Sequence, residues 1–275
     1  LDSLKETLPS ADIHGKLKRQ RPTFMKMNLF DLSLPALAMA LCMFSIPGLQ
    51  AQTVRLQGAV TLSKLITEQQ SAIESQAGVK LEVVGNGTGR GVSALLGGQA
   101  DIALVAGSLK GAADAMNKEK PGSVDITGLR ENPVSSVKLL IVVHPAVGAK
   151  TLTDAQLKDV LTGKATNWKD VGGADQPVKL VLPFAGDGAR ITVQELVMNG
   201  ADFAKDPILR NSSKDIAPVI TQLPGSISFL SEKNAAGLSS VAVEKPLSMP
   251  LILVTKGEPD GAVKKVVDAV KTVIK

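Results

Sequence analysis

The chain holds 275 residues, with 31 Lys and Arg against 26 Asp and Glu, a formal net charge of +5. That mild balance, with one Trp, six Phe and no Tyr, supplies neither the basic stripe nor the stacking platforms of a nucleic-acid binder. One cysteine rules out a disulfide framework and a cysteine-built metal site.

Residues 1–24 are polar and of mixed charge, with basic side chains at Lys16, Lys18, Arg19 and Arg21. Met25-Lys26-Met27-Asn28 then leads into an apolar run over 29–46 and a small-residue exit through Pro47, Gly48 and Ala51. A charged start, an apolar centre and a small-residue end predict a Sec-type signal peptide, cleaved after Ala51. On this reading translation begins at Met25 or Met27 and the residues before it come from an over-extended reading frame; the alternative is a cytoplasmic tail on a signal anchor. Asp31 and Pro35 interrupt the run and disfavour a membrane span. Leu41 precedes Cys42, where a lipid anchor wants a small residue, so lipidation is not expected. Without residues 1–51, 25 basic groups face 22 acidic ones. The remaining length suits one large α/β domain or two small lobes.

From residue 53 strand and helix signals alternate. A strand over 53–60 is followed by a helical pattern with Leu62, Leu65, Ile66 and Ile73, closed by Gly78. A strand over 79–84 runs into Gly85-Asn86-Gly87-Thr88-Gly89-Arg90-Gly91, a second helical pattern ends at Gly97-Gly98, and a third strand covers 101–106. This β-α-β-α-β order implies parallel strands with right-handed crossovers. Ligands of such sheets sit beyond the carboxyl ends of the strands, here 58–61, 85–90 and 107–108. The glycine stretch lets backbone approach a ligand closely, and the helix start after it offers unpaired N–H groups and the positive dipole end. Thr88 adds a hydroxyl and Arg90 a charge. The stretch is neither a P-loop nor a dinucleotide fingerprint. Read without a ligand, it is a tight strand-to-helix turn.

Residues 110–132 read as a polar surface connection. A strand over 137–143 crosses into a second lobe. A helix over 153–161 is N-capped by Thr153 and stopped by Gly163; a loop over 167–173 and a strand over 178–182 follow. Gly186-Asp187-Gly188-Ala189-Arg190 is a second glycine-bearing turn opening a helix over 191–198. Two lobes that each offer a helix start would make a cleft-closing anion binder. A helix over 213–222 and strands over 225–230, 238–243 and 251–255 come next. The last helix gathers Val263, Val266, Val267, Val270, Val273 and Ile274 on one face, a stripe expected to pack on the sheet rather than on a membrane. His144 has no G-x-S-x-G partner, so it reads as a hinge-region side chain and not a triad member. Asp and Glu show no metal-ligand spacing. Trp168 reads as a packing anchor.

Residues 161–173, Leu-Thr-Gly-Lys-Ala-Thr-Asn-Trp-Lys-Asp-Val-Gly-Gly, resemble the G-K-I-T-N-W-K-D-V-G-G loop of the phosphate-binding proteins of ABC importers. Gly225-Ser226-Ile227-Ser228-Phe229 is similar to that family's G-A-I-G-Y strand. Residues 254–259, 86–91 and 58–62 resemble its closing strand, first anion loop and first strand end. The resemblance covers nearly all of 53–275. It implies an α/β, two-lobe type II periplasmic binding-protein fold of mixed, mostly parallel sheets with hinge strands. It also implies the division 1–51 for the extension and signal, 52–136 with 245–275 for lobe 1, and 137–244 for lobe 2. The implied function is periplasmic capture of a small oxyanion, phosphate foremost, for the membrane subunits of an ABC importer. The implied protein is a monomer, with no enzymatic step, cofactor, metal or nucleic acid. Carried over by position, Thr61, Leu62 (through its N–H), Thr88, Gly89 and Arg90 are the first-lobe ligand candidates. The family's G-S-G-T-R loop falls on Gly186 to Arg190, which makes Asp187, Gly188, Ala189 and Arg190 the second-lobe candidates.

Departures from the family pattern cluster there. Its loop Ser is Asp187 and its Thr is Ala189. Its upstream Arg falls on Pro183 or Ala185, and the Asp that accepts the proton of hydrogen phosphate falls near Ala106. A like charge at about 4 Å costs about 1 kcal/mol in water and several in a partly dry cleft. Arg90 and Arg190 replace the lost charge, or Asp187 pairs with one of them for structural reasons, or the site has changed or lost its ligand. The alternative function is then a secreted interaction or sensor protein, or a binder of another small molecule.

Overall fold

The computed structural model of the chain describes residues 52–274. The expectations for the signal segment, its cleavage point and Cys42 lie outside the described residues.

Three parallel strands start the architecture. β1 (Thr53–Gly58) buries Val54 and Leu56 and lies between β2 (Lys80–Gly85) and β3 (Ile102–Ala106). Between β1 and β2 the expected single helix is two, α1 (Val60–Glu68) and α2 (Gln70–Ala77). The break falls at Gln69, whose N–H turns back to Ile66 and Thr67 carbonyls. It redirects Ile73 and Ala77 toward the last helix, α8 (Gly261–Val273), whose valine stripe packs on them and on the sheet. Gly78 closes α2 in the left-handed region, as its position predicts. α3 (Thr88–Leu96) follows β2, and Gly91 lets it lie against β1: a Cβ there would fall 2.3 Å from the Gln57 carbonyl.

Residues 110–132, expected as surface connection, instead carry α4 (Leu109–Glu119) and the start of β4 (Leu129–Val143). The helix hides because its buried face is made of Leu109, Gly111, Ala112 and Ala113, a weak apolar signal among Lys, Asp and Asn. Ser108 starts it by accepting the Gly111 N–H at 2.8 Å.

β4 and β10 (Leu247–Lys256) are antiparallel and pair along the whole of β10. Both are longer than their apolar runs suggest. Their prolines, Pro133 and Pro250, flank the bulge near Leu251/Ile252, where a missing N–H is tolerated. β10 also pairs β3, while β4 pairs β8 (Ser226–Ser231) and β9 (Ser240–Val243). β6 (Lys179–Pro183) joins β8 and the short β7 (Ile208–Arg210) in parallel. The order β2-β1-β3-β10-β4-β8-β6-β7 thus places two parallel groups on either side of two long strands. The short β5 (Thr151–Leu152), which the sequence does not signal, pairs β9 off this path.

α5 (Asp154–Thr162) starts with the full capping box of Thr153 and Gln156 and ends at left-handed Gly163. The loop after it contains a 3₁₀ turn over Trp168–Val171. Trp168 is fully buried and donates from Nε1 to the Gly225 carbonyl at 2.9 Å, so it anchors the loop beside β8. α6 (Gly188–Leu196) follows β6, and α7 (Ser213–Gln222) follows β7. No helix among the described residues is long and apolar enough to cross a membrane.

Candidate functional site

A cleft of about 250 Å³ opens where the two parallel groups face each other. Its first wall is made by the starts of α1 and α3. α1 follows Ala59 without a side-chain cap, and α3 follows Gly87 without one. Their first-turn N–H groups therefore have no side-chain acceptor, and both dipole ends point positive charge into one space. Gly87 is required at its position: its φ of 104° is one that side chains avoid. Leu139 of β4 and Met249 of β10 also line the cleft.

The second wall is the start of α6 with the turn before α7. Gly188 brings the α6 start onto the end of β3, so closely that a Cβ would meet the Ala106 carbonyl oxygen at 2.6 Å. Asp187 caps this helix itself. Its Oδ1 accepts the Ala189 N–H at 2.9 Å and the Arg190 N–H at 3.3 Å. Two donors of α6 are thus already occupied by a carboxylate. Burial pushes the Asp187 carboxyl above its ordinary range, against the pull of those two N–H groups and of the Arg190 charge.

Of the nine residues predicted to hold a ligand, Thr61, Thr88, Asp187, Gly188 and Ala189 line this cleft. Thr61 is exposed. Thr88 is buried and its hydroxyl is engaged: it accepts the Ala106 N–H at 3.2 Å and donates to the Ala106 carbonyl at 3.3 Å. Its side chain ties α3 to β3, which leaves its backbone N–H for a ligand. Leu62, Gly89, Arg90 and Arg190 are not among the lining residues. The Leu62 side chain lies in the core, and the N–H for which it was chosen belongs to the uncapped first turn of α1. The Gly89 N–H likewise belongs to the uncapped first turn of α3. Arg90 is exposed and donates to the Asn86 carbonyl at 3.1 Å. Arg190 donates to the Pro183 carbonyl at 3.0 Å and lies over the Phe203 ring at 5.1 Å from its centroid. Both arginines are turned to protein partners. Nor does Asp187 form an ion pair with either of them within 4.0 Å.

The cleft's positive side chains are lysines that the sequence reading did not single out. Lys64, Lys214 and Lys233 line it, together with Ser212, Ser213, Asn211 and Asn234. Lys64 pairs with Glu68 at 4.0 Å. Lys214 sits in the first turn of α7, where a cation opposes the helix dipole. A lysine at a serine-capped helix start was the available signal, although Asp215 in the same turn also supplies a negative neighbour.

Other candidates settle as structure. His144 accepts the Ala146 N–H at 3.1 Å and starts a short turn over Pro145–Val147. Among the described residues no three His, Cys, Asp or Glu side chains are grouped to hold a metal.

The family model described as the PBP superfamily domain matches residues 46–272. The phosphate-binding protein PstS of Bacillus subtilis is 28% identical over 236 residues, spanning 80% of this chain and 75% of the relative. An ABC-type phosphate transport receptor from Vibrio cholerae shares the fold, with a TM-score of 0.64 and 23% identity over 80% of this chain and 94% of its own. PstS from Borrelia burgdorferi does so with a TM-score of 0.54 and 21% identity, over 79% and 92% of the two chains.

Proposed function

Since the chain belongs to the PBP superfamily, we propose that it is a solute-binding protein that captures a small oxyanion, phosphate foremost, for an ABC-type importer. One observation carries this reading: the uncapped starts of α1 and α3 converge on a single cleft whose far wall brings Lys214 and Lys233. N–H groups with no side-chain acceptor, at two positive dipole ends, suit an anion and little else. The names of its relatives, a phosphate-binding protein and a phosphate transport receptor, support phosphate as that anion. In this proposal the protein works as a monomer in the periplasm and performs no reaction. Lobe 1 (52–136 with 245–275) and lobe 2 (137–244) close over the ligand, with one crossing inside β4 and the other just before β10. Binding shifts an open–closed equilibrium, and the membrane subunits read the closed form.

A second reading rests on Asp187, whose carboxylate already fills two α6 donors. A family member altered in this way acts as a sensor or interaction protein, or takes another small ligand.

Thermal unfolding with millimolar phosphate, sulfate, molybdate and citrate separates the two. A ligand at a hundred times its dissociation constant adds about 2.7 kcal/mol, which raises the midpoint by several degrees in a chain of this size. Stabilisation by phosphate is expected. Stabilisation by another anion alone redirects the ligand, and none by any of the four removes the oxyanion reading in favour of the second one.

A further inference from the structure

Five large apolar side chains stand exposed among the described residues, and two of them border the cleft: Val60 at 60% and Phe184 at 39%. Val60 opens α1 beside Thr61. Phe184 follows β6 and lies across the cleft against Gly87, where a Cβ would stand 3.5 Å from its ring. Leu65 extends the same apolar surface. These groups flank the uncapped helix starts on which an anion would rest. Inorganic phosphate gains nothing from them, because it is strongly hydrated and has no apolar surface to bury. It has also lost the two α6 donors that Asp187 fills. A ligand that carries its phosphate on an organic group uses both halves of the cleft: its charge meets the helix starts, and its apolar part covers a wall that is otherwise left in water.

We propose that the cleft takes a phosphate monoester, with the phosphate group at the starts of α1 and α3 and the organic part against Val60, Leu65 and Phe184. The proposal rests on the oxyanion reading above and names the class of molecule that bears the oxyanion.

Calorimetric titration of the whole protein with inorganic phosphate, ethyl phosphate, phenyl phosphate and phenol tests it. One or both monoesters bind about tenfold tighter than inorganic phosphate, the gain expected from covering a few apolar carbons, and phenol alone does not bind. Phe184→Ala and Val60→Ser each lower the monoester-to-phosphate affinity ratio about threefold or more. Val60 is exposed on a first helical turn, so its substitution leaves the core intact and keeps the test valid if the Phe184 variant folds poorly. Monoesters no tighter than inorganic phosphate, or a ratio that survives both substitutions, overturn the proposal while the oxyanion reading stands. Failure of all four probes to bind overturns this proposal and, with it, phosphate as the anion; the oxyanion reading falls as well if sulfate, molybdate and citrate give no stabilisation either.

Discussion

Asp187 is the residue on which the second wall of the cleft turns. A Ser there would accept a helix N–H without charge, whereas this carboxylate engages two N–H groups and sets a negative charge at the rim. Replacing Asp187 by Ser and Ala189 by Thr removes that charge and adds two hydroxyls while Ser keeps the cap. Phosphate affinity should rise roughly tenfold or more, since one like charge in a partly dry site costs over 1 kcal/mol. Unchanged affinity in titration would mean that the α6 start does not face the ligand. The charge also has a pH signature. Because burial raises the Asp187 carboxyl, it gives up its proton at a higher pH in the folded protein than in the unfolded chain. The stability it contributes is present while it is protonated and is lost as pH rises through the raised value. Sulfate keeps its own charge over that range, so its affinity should weaken with rising pH in the unaltered protein and stay flat in the Ser/Thr variant. The sequence shows that a carboxylate replaces a hydroxyl here. It does not show that Arg90 and Arg190 turn to the Asn86 and Pro183 carbonyls, because the reach of a long side chain is decided by tertiary neighbours. Lys233 was beyond sequence reasoning for the same reason: it comes to the cleft from the far end of β8.

At the scale of elements, local chemistry was most legible where a cap and a period agree. α5, with its Thr153 cap, is read directly from such signals, and the structure adds Gln156 to complete the box; α7 spans the expected residues 213–222. α4 escaped because alanine and glycine make its buried face, and the break at Gln69 because neither Gly nor Pro marks it. What pins α2 after that break is a side chain with no helical or strand period. Glu74 accepts from Gln70 Nε2 at 2.9 Å, from Lys80 Nζ at 2.8 Å and from the Leu81 N–H at 2.9 Å, joining α2 to β2. The Gln70 and Lys80 donors, with the Leu81 N–H, hold its carboxyl down at about 2. Its contribution to stability is therefore present above the ordinary carboxylate range and is lost as pH falls toward about 2. Glu74→Gln should lower the thermal midpoint at pH 7 by about 1–3 °C, a modest loss because water screens part of this contact. The difference should shrink as pH falls from about 4 toward 2. Parallel melting curves with a constant gap down to pH 2 would show that the charge of Glu74 is not what holds the strap.

Across the whole molecule, two long strands carry the sheet from one parallel group to the other, and a second connection forms beside the cleft. α4 belongs to the β1–β3 side and α6 to the β6–β8 side. Ser108 at the start of α4 donates to Glu195 Oε1 at 2.5 Å, and Lys118 at its end pairs with Asp202. Between these contacts Gly111 lies so close to α6 that a Cβ would fall 2.5 Å from Glu195 Oε1 and 2.6 Å from Ile191 Cγ2. The contact lies outside the cleft lining, so it can bias closure without touching a ligand. Gly111→Leu places a side chain where none fits and should wedge the two sides apart. If binding requires closure, a penalty of about 1.4 kcal/mol on the closed form weakens phosphate binding tenfold. Glu195→Ala, which removes only the Ser108 bond, should act in the same direction and more weakly. Small-angle scattering without ligand should show a larger radius of gyration for Gly111→Leu, and saturating ligand should bring it back toward that of the unaltered protein. Scattering curves that superimpose, together with unchanged affinity, would show that α4 and α6 rest against each other without governing closure.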